Sequence, residues 1–335
     1  MLLPLHRPRA VAPRKGTPLP IESAVLDRVG RVEQALRQVI RSSSDAVRMA
    51  LIAILADGHI LIEDVPGVGK TTLAHAIARV LDCRFQRIQF TSDLLPSDVL
   101  GISMYRQSIE TFEFKPGPIF TNVLLADEIN RTTPKTQSAL LEAMNERQVT
   151  VDNDTHRLPS PFLVIATQNP AEHHGTYPLP ESQLDRFLLR IRMGYPEAAD
   201  ERAILRGEAG ADQLGNLEPL LTADEVIELQ QRVREVEVDA SVIDYELALV
   251  QATRTHEALE LGVSPRGSLA LHRAAQARAL LEGRDYCIPD DVKRLFVPVC
   301  SHRIALHARM GSAGPRSQQA EAILQDLRET IPVPE

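Results

Sequence analysis

Residues 59–72 read HILIEDVPGVGKTT, and this stretch decides the fold of the chain. The run at 60–62 is short and wholly apolar, which is typical of a buried strand in a parallel sheet. Gly67 and Gly69 let the backbone turn its N–H groups to one side, and a helix then opens at Lys70 with its positive end facing the same point. The segment therefore predicts a strand, a phosphate-binding loop and a helix in succession.

The loop residues are expected to bind a nucleotide. Lys70 would reach the β- and γ-phosphates, and the hydroxyl of Thr71 would hold Mg²⁺. The strict pattern G-x-x-x-x-G-K-[ST] has glycine where this chain has Asp64, whose carboxylate would repel phosphates unless the chain turns it away. On this segment alone, a glycine-containing turn that binds nothing stays an alternative. The predicted nucleotide-binding residues are Pro66, Gly67, Val68, Gly69, Lys70, Thr71 and Thr72.

Two adjacent acids, Asp127 and Glu128, follow a second apolar run at 123–126. Ligands of parallel sheets bind beyond the carboxyl ends of the strands, so we expect this pair and the loop to face one crevice. Asp127 would then hold Mg²⁺ through its water shell together with Thr71, and Glu128 would polarise an attacking water as general base. A solvated strand end is the alternative for such a pair, and the phosphate loop upstream argues against it.

A third apolar run, at 162–168, ends at Asn169. An uncharged amide in the same crevice can position a water and contact the γ-phosphate without adding repulsive charge. Asn169 with Pro170 is by itself simply a good turn, and only the other two strand ends favour a functional role.

The remaining pattern predicts an α/β domain followed by helices. Its boundaries are expected at a basic, proline-rich tail (1–20), a nucleotide-binding core (21–198), a linker (199–221) and a helical lid (222–335). Strands at 148–152 and 161–167 are predicted to form a hairpin about a turn at 153–154, and the polar region 91–121 is expected to project. Helices are predicted at 44–56, 70–81, 181–185, 239–260, 265–281 and 289–301, with a capping box at Thr222 and Glu225 and a loop at 311–316 before the last one.

Composition excludes several classes of function. The net charge of −8 over 335 residues argues against a chain-wide electrostatic surface for nucleic acid. The three cysteines, at 83, 287 and 300, lie far apart, and the pair His173 and His174 lacks ligand spacing, so neither set predicts a metal site. The longest apolar stretch, at 50–62, is interrupted by polar residues and is too short for a membrane span. These features favour a cytoplasmic protein with reduced thiols.

Two long blocks, NVLLADEINRTTPKTQSALLEAMNERQVTV (122–151) and ATQNPAEHHGTYPLPESQLDRFLLRI (166–191), resemble the MoxR family of AAA+ ATPases, with EDVPGVGKTT (63–72) as its phosphate loop. The resemblance spans roughly 22–310 and places the chain in the clade with a helix-2 insertion, here 91–121, and a hairpin before sensor 1. It implies an AAA+ P-loop core with a parallel sheet flanked by helices, followed by a small all-α lid domain. Many family members carry ED where this chain has Asp64.

The same resemblance implies roles for three further residues. Asn169 matches the sensor-1 asparagine, Arg186 in LDRF matches an arginine finger supplied to a neighbouring subunit, and Arg266 in SPRGS matches the sensor-2 arginine of the lid. A surface ion pair is the alternative for either arginine. A cation near the start of a helix is badly placed for the helix dipole, so a ligand anion would offset the position of Arg266. VIRSSSDAV (39–47) departs from the family, because Ser42 replaces a glycine expected near the adenine.

The function implied is Mg²⁺-dependent ATP hydrolysis in a ring, expected to be a hexamer, that remodels, activates or inserts cofactors into partner proteins. The resemblance also implies a partner with a von Willebrand factor A domain, and it leaves the client open. One alternative is a nucleic-acid-dependent motor, disfavoured because the segment near 148–161 balances Arg147, Arg157 and His156 with Asp152 and Asp154. A slow regulatory switch is the other alternative, although Asp127, Glu128, Asn169 and Arg186 are those of a working enzyme.

Overall fold

A computed structural model describes residues 23–41, 44–108, 110–169, 175–307 and 316–334. The expected basic tail, Ser42, His173 with His174 and nearly all of the 311–316 loop lie outside these ranges. The helices are α1 Ser23–Val39, α2 Ser44–Leu55, α3 Lys70–Val80, α4 Pro96–Leu100, α5 Pro134–Glu146, α6 Glu181–Leu184, α7 Ala198–Leu205, α8 Ala223–Val233, α9 Ala240–Thr255, α10 Pro265–Leu281, α11 Pro289–Cys300 and α12 Arg316–Thr330. The strands are β1 Ile60–Glu63, β2 Phe85–Gln89, β3 Gly101–Arg106, β4 Thr111–Pro116, β5 Val123–Asp127, β6 Gln148–Val151, β7 Asp154–Arg157, β8 Leu163–Gln168, β9 Leu189–Ile191, β10 Leu259–Leu261 and β11 Ala305–Leu306.

The central sheet has five strands in the order β2-β5-β8-β1-β9, and every neighbouring pair is parallel. Its two faces are covered by different helices. Ile60 and Ile62 of β1 belong to a core cluster that includes Leu73 of α3, whereas Leu61 belongs to a second cluster with Leu140 of α5. This alternation confirms the α/β fold with a parallel sheet flanked by helices.

The hairpin prediction was wrong in its second strand. β6 pairs antiparallel with β7, whereas β8, predicted as the hairpin partner, pairs parallel with β5 and β1 in the central sheet. The chain reverses at Asp152, which has φ 56°, and the next residues are polar and largely exposed. The apolar residues of β8 are buried on both faces, which suits a central parallel strand better than a solvent-facing hairpin.

The region 91–121 contains structure that its weak sequence signal did not define. The short helix α4 leads into an antiparallel hairpin of β3 and β4. Phe114 of this hairpin stacks on His156 of β7, with ring centroids 3.8 Å apart, so the two hairpins of the domain support one another. Tyr105 and Phe112 form an exposed edge-to-face pair further along.

The second lid helix is shorter than the 239–260 prediction. α9 ends at Thr255, because Gly262 brings the chain back across the end of the helix: a Cβ on Gly262 would lie 2.7 Å from Cα of Arg254. The hydroxyl of Thr253 accepts a hydrogen bond from Val263 N at 3.0 Å. Leu259 and Leu261 then pair with β11 in a two-stranded sheet.

The remaining lid helices follow the prediction closely. Thr222 and Glu225 form the expected capping box at the start of α8, and α10 covers 265–281 as predicted. The residues expected as a linker contain α7 and a 3₁₀ segment, Gly210–Asn216, and Leu220 N and Leu221 N both donate to Val80 O at the end of α3.

The C-terminal helix α12 is attached to the central sheet by charge. Arg190 of β9 donates to Oε1 of Glu321 at 2.7 Å, and Arg192 donates to Oε2 of the same carboxylate at 3.1 Å. Arg190 is buried and also contacts Glu63 at the end of β1. The edge strand of the sheet therefore connects α12 with the strand that leads into the phosphate loop.

The cysteines are thiols. Burial raises the pKa of Cys287 and of Cys300 to about 12, and that of Cys83 to about 11, so all three stay protonated at neutral pH. Within the described ranges, no helix combines the length and apolarity that crossing a bilayer requires.

His59 links the start of β1 to both neighbouring elements through its buried ring. Nε2 donates to Met144 O of α5 and Nδ1 accepts from Val164 N of β8, each at 3.1 Å. Both ring nitrogens are thus used by a neutral imidazole, and burial lowers the pKa of His59 to about 3.

We expect His59 to make stability fall as the pH drops below about 6.5, where the unfolded chain takes up a proton that the folded chain refuses until about pH 3. For one such group the slope approaches about 1.4 kcal/mol per pH unit. Urea unfolding between pH 7.5 and 5.0 should show a smaller slope for H59Q than for the parent chain. H307Q, at an exposed ring, is the control, and an unchanged slope in H59Q would contradict the assignment.

Candidate functional site

The loop between β1 and α3 is open towards the carboxyl end of the sheet. Gly67 and Gly69 have φ of 87° and 93°, a conformation that requires glycine, so the two glycines turn the backbone as predicted. Gly69 is the N-cap of α3, and among the described residues no side chain caps this helix. The first N–H groups of α3 are thus left for an anion from outside the chain.

Lys70 is folded back onto its own loop. Nζ donates to Asp64 O at 2.6 Å. Burial lowers the pKa of Lys70, and the acids Asp64, Asp127 and Glu128 act in the opposite direction. A partly buried cation held by one neutral carbonyl is well placed to accept a stronger, anionic partner.

Asp64 does not face the loop. Its Oδ2 accepts from Met193 N and Gly194 N, both at 2.7 Å, and its Oδ1 accepts from Val65 N at 2.8 Å. The carboxylate is therefore turned away from any phosphate and fastens the start of the loop to the chain beyond β9. The repulsion expected from Asp64 does not arise, because its carboxylate binds backbone amides instead of facing the phosphate position.

Three strand ends meet in one crevice, a cavity of about 360 Å³ next to the loop. The structure brings together there nearly all of the predicted loop residues, both acids and the amide. Two residues that the sequence analysis did not single out, Arg87 and Gln89, complete the lining. The full set is Pro66, Gly67, Gly69, Lys70, Thr71, Thr72, Arg87, Gln89, Asp127, Glu128 and Asn169.

The carboxylate of Asp127 is bound on both sides. Oδ1 accepts from the hydroxyl of Thr167 at 2.6 Å, and Oδ2 accepts from Arg87 Nη2 at 2.6 Å and Nε at 3.1 Å. The Arg87 guanidinium thus stands where a cation would be expected. The oxygen atoms of Asp127 and Thr71 are the kind of ligand that a divalent ion prefers, and both residues would be able to share one such ion.

Glu128 has a strained backbone, with φ 57°. A non-glycine residue in this region costs on the order of 1–2 kcal/mol and often marks a functional position. Its N–H donates to Thr167 Oγ1 at 2.9 Å, and its Oε2 accepts from Gln89 Nε2 at 2.5 Å and Arg131 Nη1 at 3.0 Å. Neighbouring side chains thus hold the predicted general base in one orientation.

The strand β2 carries the signal that could have found Arg87 and Gln89. They alternate in RFQRIQF with residues of the opposite face, and Gln89 is in register with Asp127. Polar residues on alternate positions of a strand beside the acid pair face the same crevice. The sequence analysis identified the strand without assigning its faces.

A second cavity, of about 160 Å³, adjoins the crevice across the loop. Val68, the one predicted loop residue absent from the crevice lining, lies here. The other described residues that line it are mostly apolar: Val39, Ile40, Arg41, Gly67, Gly69, Thr72, Pro196, Ile204, Gly210 and Ala211. Arg41 and Thr72 are the polar residues among the described lining of this cavity.

Arg186 and Arg266 lie together, away from the loop. They line a separate depression of about 250 Å³, with Arg147, Arg273 and Arg303 among its other described residues. Arg266 donates to Asn145 Oδ1 at the end of α5, at 2.5 Å. The cluster is basic, and neither arginine is among the described residues that line the crevice of its own chain.

The guanidinium group of Arg186 is not fully hydrogen-bonded within the described part of the chain. Its Nε is buried and has no hydrogen-bond acceptor among the described residues. Burial and the nearby Arg266 lower the pKa of Arg186, and Glu142 and Glu146 oppose the shift. An unsatisfied guanidinium nitrogen beside a second cation favours an anionic ligand supplied from outside the chain.

Removing the carboxylate of Asp64 should destabilise the loop even though D64G restores the usual glycine. Three buried or half-buried N–H groups lose their acceptor, which corresponds to a loss of about 1–3 kcal/mol. We expect a lower melting temperature and faster amide exchange at Val65, Met193 and Gly194. D64N, which keeps one acceptor oxygen, should fall between the two, and a D64G chain as stable as the parent would contradict this role.

Comparisons with known proteins show the family to which the chain belongs. The ATPase family associated with various cellular activities (AAA) matches residues 59–189, and the AAA lid domain matches 251–327. The uncharacterized protein YeaC of Bacillus subtilis is 50% identical over 91% of this chain and 95% of its own length. Chaperone MoxR1 of Mycobacterium tuberculosis is 43% identical over 81% of this chain and 74% of its own length.

Two further proteins extend the comparison. Protein MoxR of Methylorubrum extorquens is 31% identical over 92% of this chain and 96% of its own length. A crystal structure of a candidate ATPase from Cytophaga hutchinsonii superposes with a TM-score of 0.82 at 35% identity, over 93% of this chain and 96% of that one. The α/β core with its parallel sheet, the helical lid and these relatives together place the chain in the MoxR family of AAA+ ATPases.

Proposed function

We propose that this chain is a MoxR-type ATPase that hydrolyses ATP to ADP and phosphate with Mg²⁺, and that it works in a ring, expected to be a hexamer. The observation that carries the proposal is the division of the site. One surface has a phosphate loop, two acids and an amide, and another has two exposed or half-exposed arginines that are not among the described residues lining the crevice of their own chain. A closed ring supplies each crevice with the arginines of a neighbour.

Within one chain, the crevice residues divide the work. Gly67, Gly69 and the start of α3 would hold the phosphates, and Lys70 would exchange the Asp64 carbonyl for phosphate oxygens. Thr71 and Asp127 would hold Mg²⁺, which neutralises phosphate charge when bound, and Arg87 would leave Asp127 as that charge is compensated. Glu128 would take a proton from the attacking water, which Asn169 helps to orient.

The base of the nucleotide would lie in the adjoining cavity. Its described walls, among them Ile40, Val68 and Ile204, suit a flat aromatic ring, and the cavity shares Gly67, Gly69 and Thr72 with the crevice. A polar and an apolar cavity that share loop residues support a nucleoside triphosphate as the ligand better than a free phosphate.

In the proposed ring, Arg186 would act as the finger on the neighbour's γ-phosphate, and Arg266 would act beside it. Both line one depression, so the lid arginine is proposed to serve the neighbouring subunit as well. Placing two cations beside charge that builds on phosphate oxygens speeds transfer, and a finger of this kind contributes about 10³–10⁵ in turnover where it has been measured.

ATP hydrolysis is proposed to drive the remodelling or activation of partner proteins, or the insertion of cofactors into them. One such partner is proposed to have a von Willebrand factor A domain. The exposed pair Tyr105 and Phe112 is apolar, and His156 is stacked on Phe114, which supports a protein client rather than nucleic acid. A nucleic-acid motor would need a net positive charge on these hairpins. Their cations, Arg106, Lys115 and Arg157, are instead matched or outnumbered by the acids Glu110, Glu113, Asp152 and Asp154. The reduced thiols support the cytoplasm as the compartment.

Lys70 and Glu128 should separate binding from hydrolysis. K70A should lose binding of fluorescent ATP analogues, because the loop loses its only lysine. E128Q should bind ATP with near-parental affinity and lose hydrolysis by about two to four orders of magnitude, since the general base is gone. Fluorescence titration and phosphate release measure the two properties. A chain with no Mg²⁺-dependent ATPase activity in any assembly would overturn the proposal.

Mixed assemblies test whether the site is shared. K70A subunits would offer arginines without binding nucleotide, and R186A subunits would bind nucleotide without offering the finger. Each alone should be nearly inactive, and assemblies containing both, isolated with two affinity tags, should recover measurable ATPase activity. No recovery in mixed assemblies of confirmed composition would contradict a finger supplied by the neighbour.

A further inference from the structure

The segment that carries Arg186 is held from the lid mainly by the buried side chain of Arg303, which follows α11, and the neighbouring His302 Nε2 also lies 2.9 Å from Phe187 O. Its guanidinium donates through Nε to Asp185 Oδ1 at 2.7 Å, through Nη2 to Phe187 O at 2.6 Å and through Nη1 to Leu188 O at 3.1 Å. The side chain of Arg303 is only 2% exposed. A single lid residue therefore grips the residue before Arg186 and the two residues after it.

The other oxygen of Asp185 reaches the helix that carries Arg266. Oδ2 accepts from the hydroxyl of Ser264 at 3.0 Å, and Ser264 is the N-cap of α10, accepting in turn from Gly267 N at 3.0 Å. Arg266 lies within this capped turn. One carboxylate thus connects the backbone of Arg186 with the first turn of the helix that presents Arg266.

Gly267 shows how closely the two parts approach. A Cβ at this position would lie 2.9 Å from Cδ of Arg303 and 2.6 Å from Cγ1 of Val263. The first turn of α10 therefore sits directly on the Arg303 side chain, with no room for even one added methyl group. The contact leaves α10 little freedom to move relative to 185–188.

We propose that the Asp185–Arg303 pair is a positioning device that fixes Arg186 and Arg266 as one two-cation unit for the phosphates of the neighbouring subunit. The inference rests on the proposed function and deepens it. Two like charges side by side tend to separate unless their backbones are constrained, and Asp185 constrains both. Arg303 itself contacts no nucleotide in this arrangement and acts through Arg186 and Arg266.

The alternative is that the pair merely joins the lid to the core. The lid offers a control in another ion pair, in which Arg284 donates to both oxygens of the fully buried Asp291 at 2.7 and 2.8 Å. That pair makes no described contact with 185–188. R284K therefore tests the general effect of weakening a lid ion pair.

R303K keeps the charge but has one nitrogen in place of three, so it cannot reach Asp185, Phe187 and Leu188 together. We expect kcat to fall at least tenfold, with KM and the affinity for a fluorescent ATP analogue within about twofold of the parent. Amide exchange should rise in a peptide covering 181–191 and stay unchanged in one covering 64–72. R284K should lower the melting temperature comparably and leave kcat within about twofold. A normal kcat for R303K, or an equal loss in R284K, would overturn the inference.

Mixed assemblies give the sharper comparison, and S264A, which removes only the Ser264–Asp185 hydrogen bond and the α10 cap, can replace R303K if that chain does not fold. With R186A as the nucleotide-binding subunit, K70A/R303K should support at least tenfold less activity than K70A, because its arginines are misplaced. R186A/R303K should instead accept arginines from K70A with activity within about twofold of R186A. Equal loss in both positions would overturn the positioning role alone. Inactivity of the plain K70A and R186A mixture would overturn the shared site, and this inference with it.

Discussion

The burial of the inner strands β5, β8 and β1 of the central sheet determines where this protein can place its chemistry. Ile60, Leu61 and Ile62 have no exposed surface, because helices cover both faces of β1. A polar group on such a strand would have to be desolvated, so charged and polar side chains appear where the strands end. The phosphate loop, the acid pair and Asn169 meet at one edge for this reason, and their convergence follows from the direction of the strands.

The sequence could predict those parts that depend on a strand and its end. The loop at 66–72, the pair Asp127 and Glu128, and Asn169 were all placed by the position of an apolar run, and the structure brings them to one crevice. Features that depend on contacts between distant segments could not be read in this way. The amides that bind Asp64 lie about 130 residues further along the chain. The partner of β6 was predicted wrongly because two nearby strand candidates compete, and only burial on both faces assigns β8 to the sheet.

Arg186 and Arg266 show a second limit to what the sequence can predict. The resemblance of LDRF to an arginine-finger motif predicts that Arg186 serves a neighbouring subunit, but the sequence around Arg266 gives no such assignment. Arg266 lines the same depression as Arg186, and this shared position is the basis of the proposal that both serve the neighbouring subunit. The crevice combines two acids, Asp127 and Glu128, with two cations, Lys70 and Arg87, whereas the depression is predominantly basic. In the proposed ring, the basic depression of one subunit would face the phosphates bound in the crevice of the next, and head-to-tail contacts of this kind close into a ring when the rotation permits.

The C-terminal helix α12 is connected to the phosphate loop through one short stretch of backbone. Glu321 of α12 binds Arg190 and Arg192, and the next two residues of the same segment, Met193 and Gly194, donate their amides to Asp64 at the start of the loop. A displacement of the loop and a force applied to α12 therefore both act on the backbone of residues 190–194. A partner that binds α12 on one side of the lid would therefore be able to shift the position of the loop without contacting the loop itself.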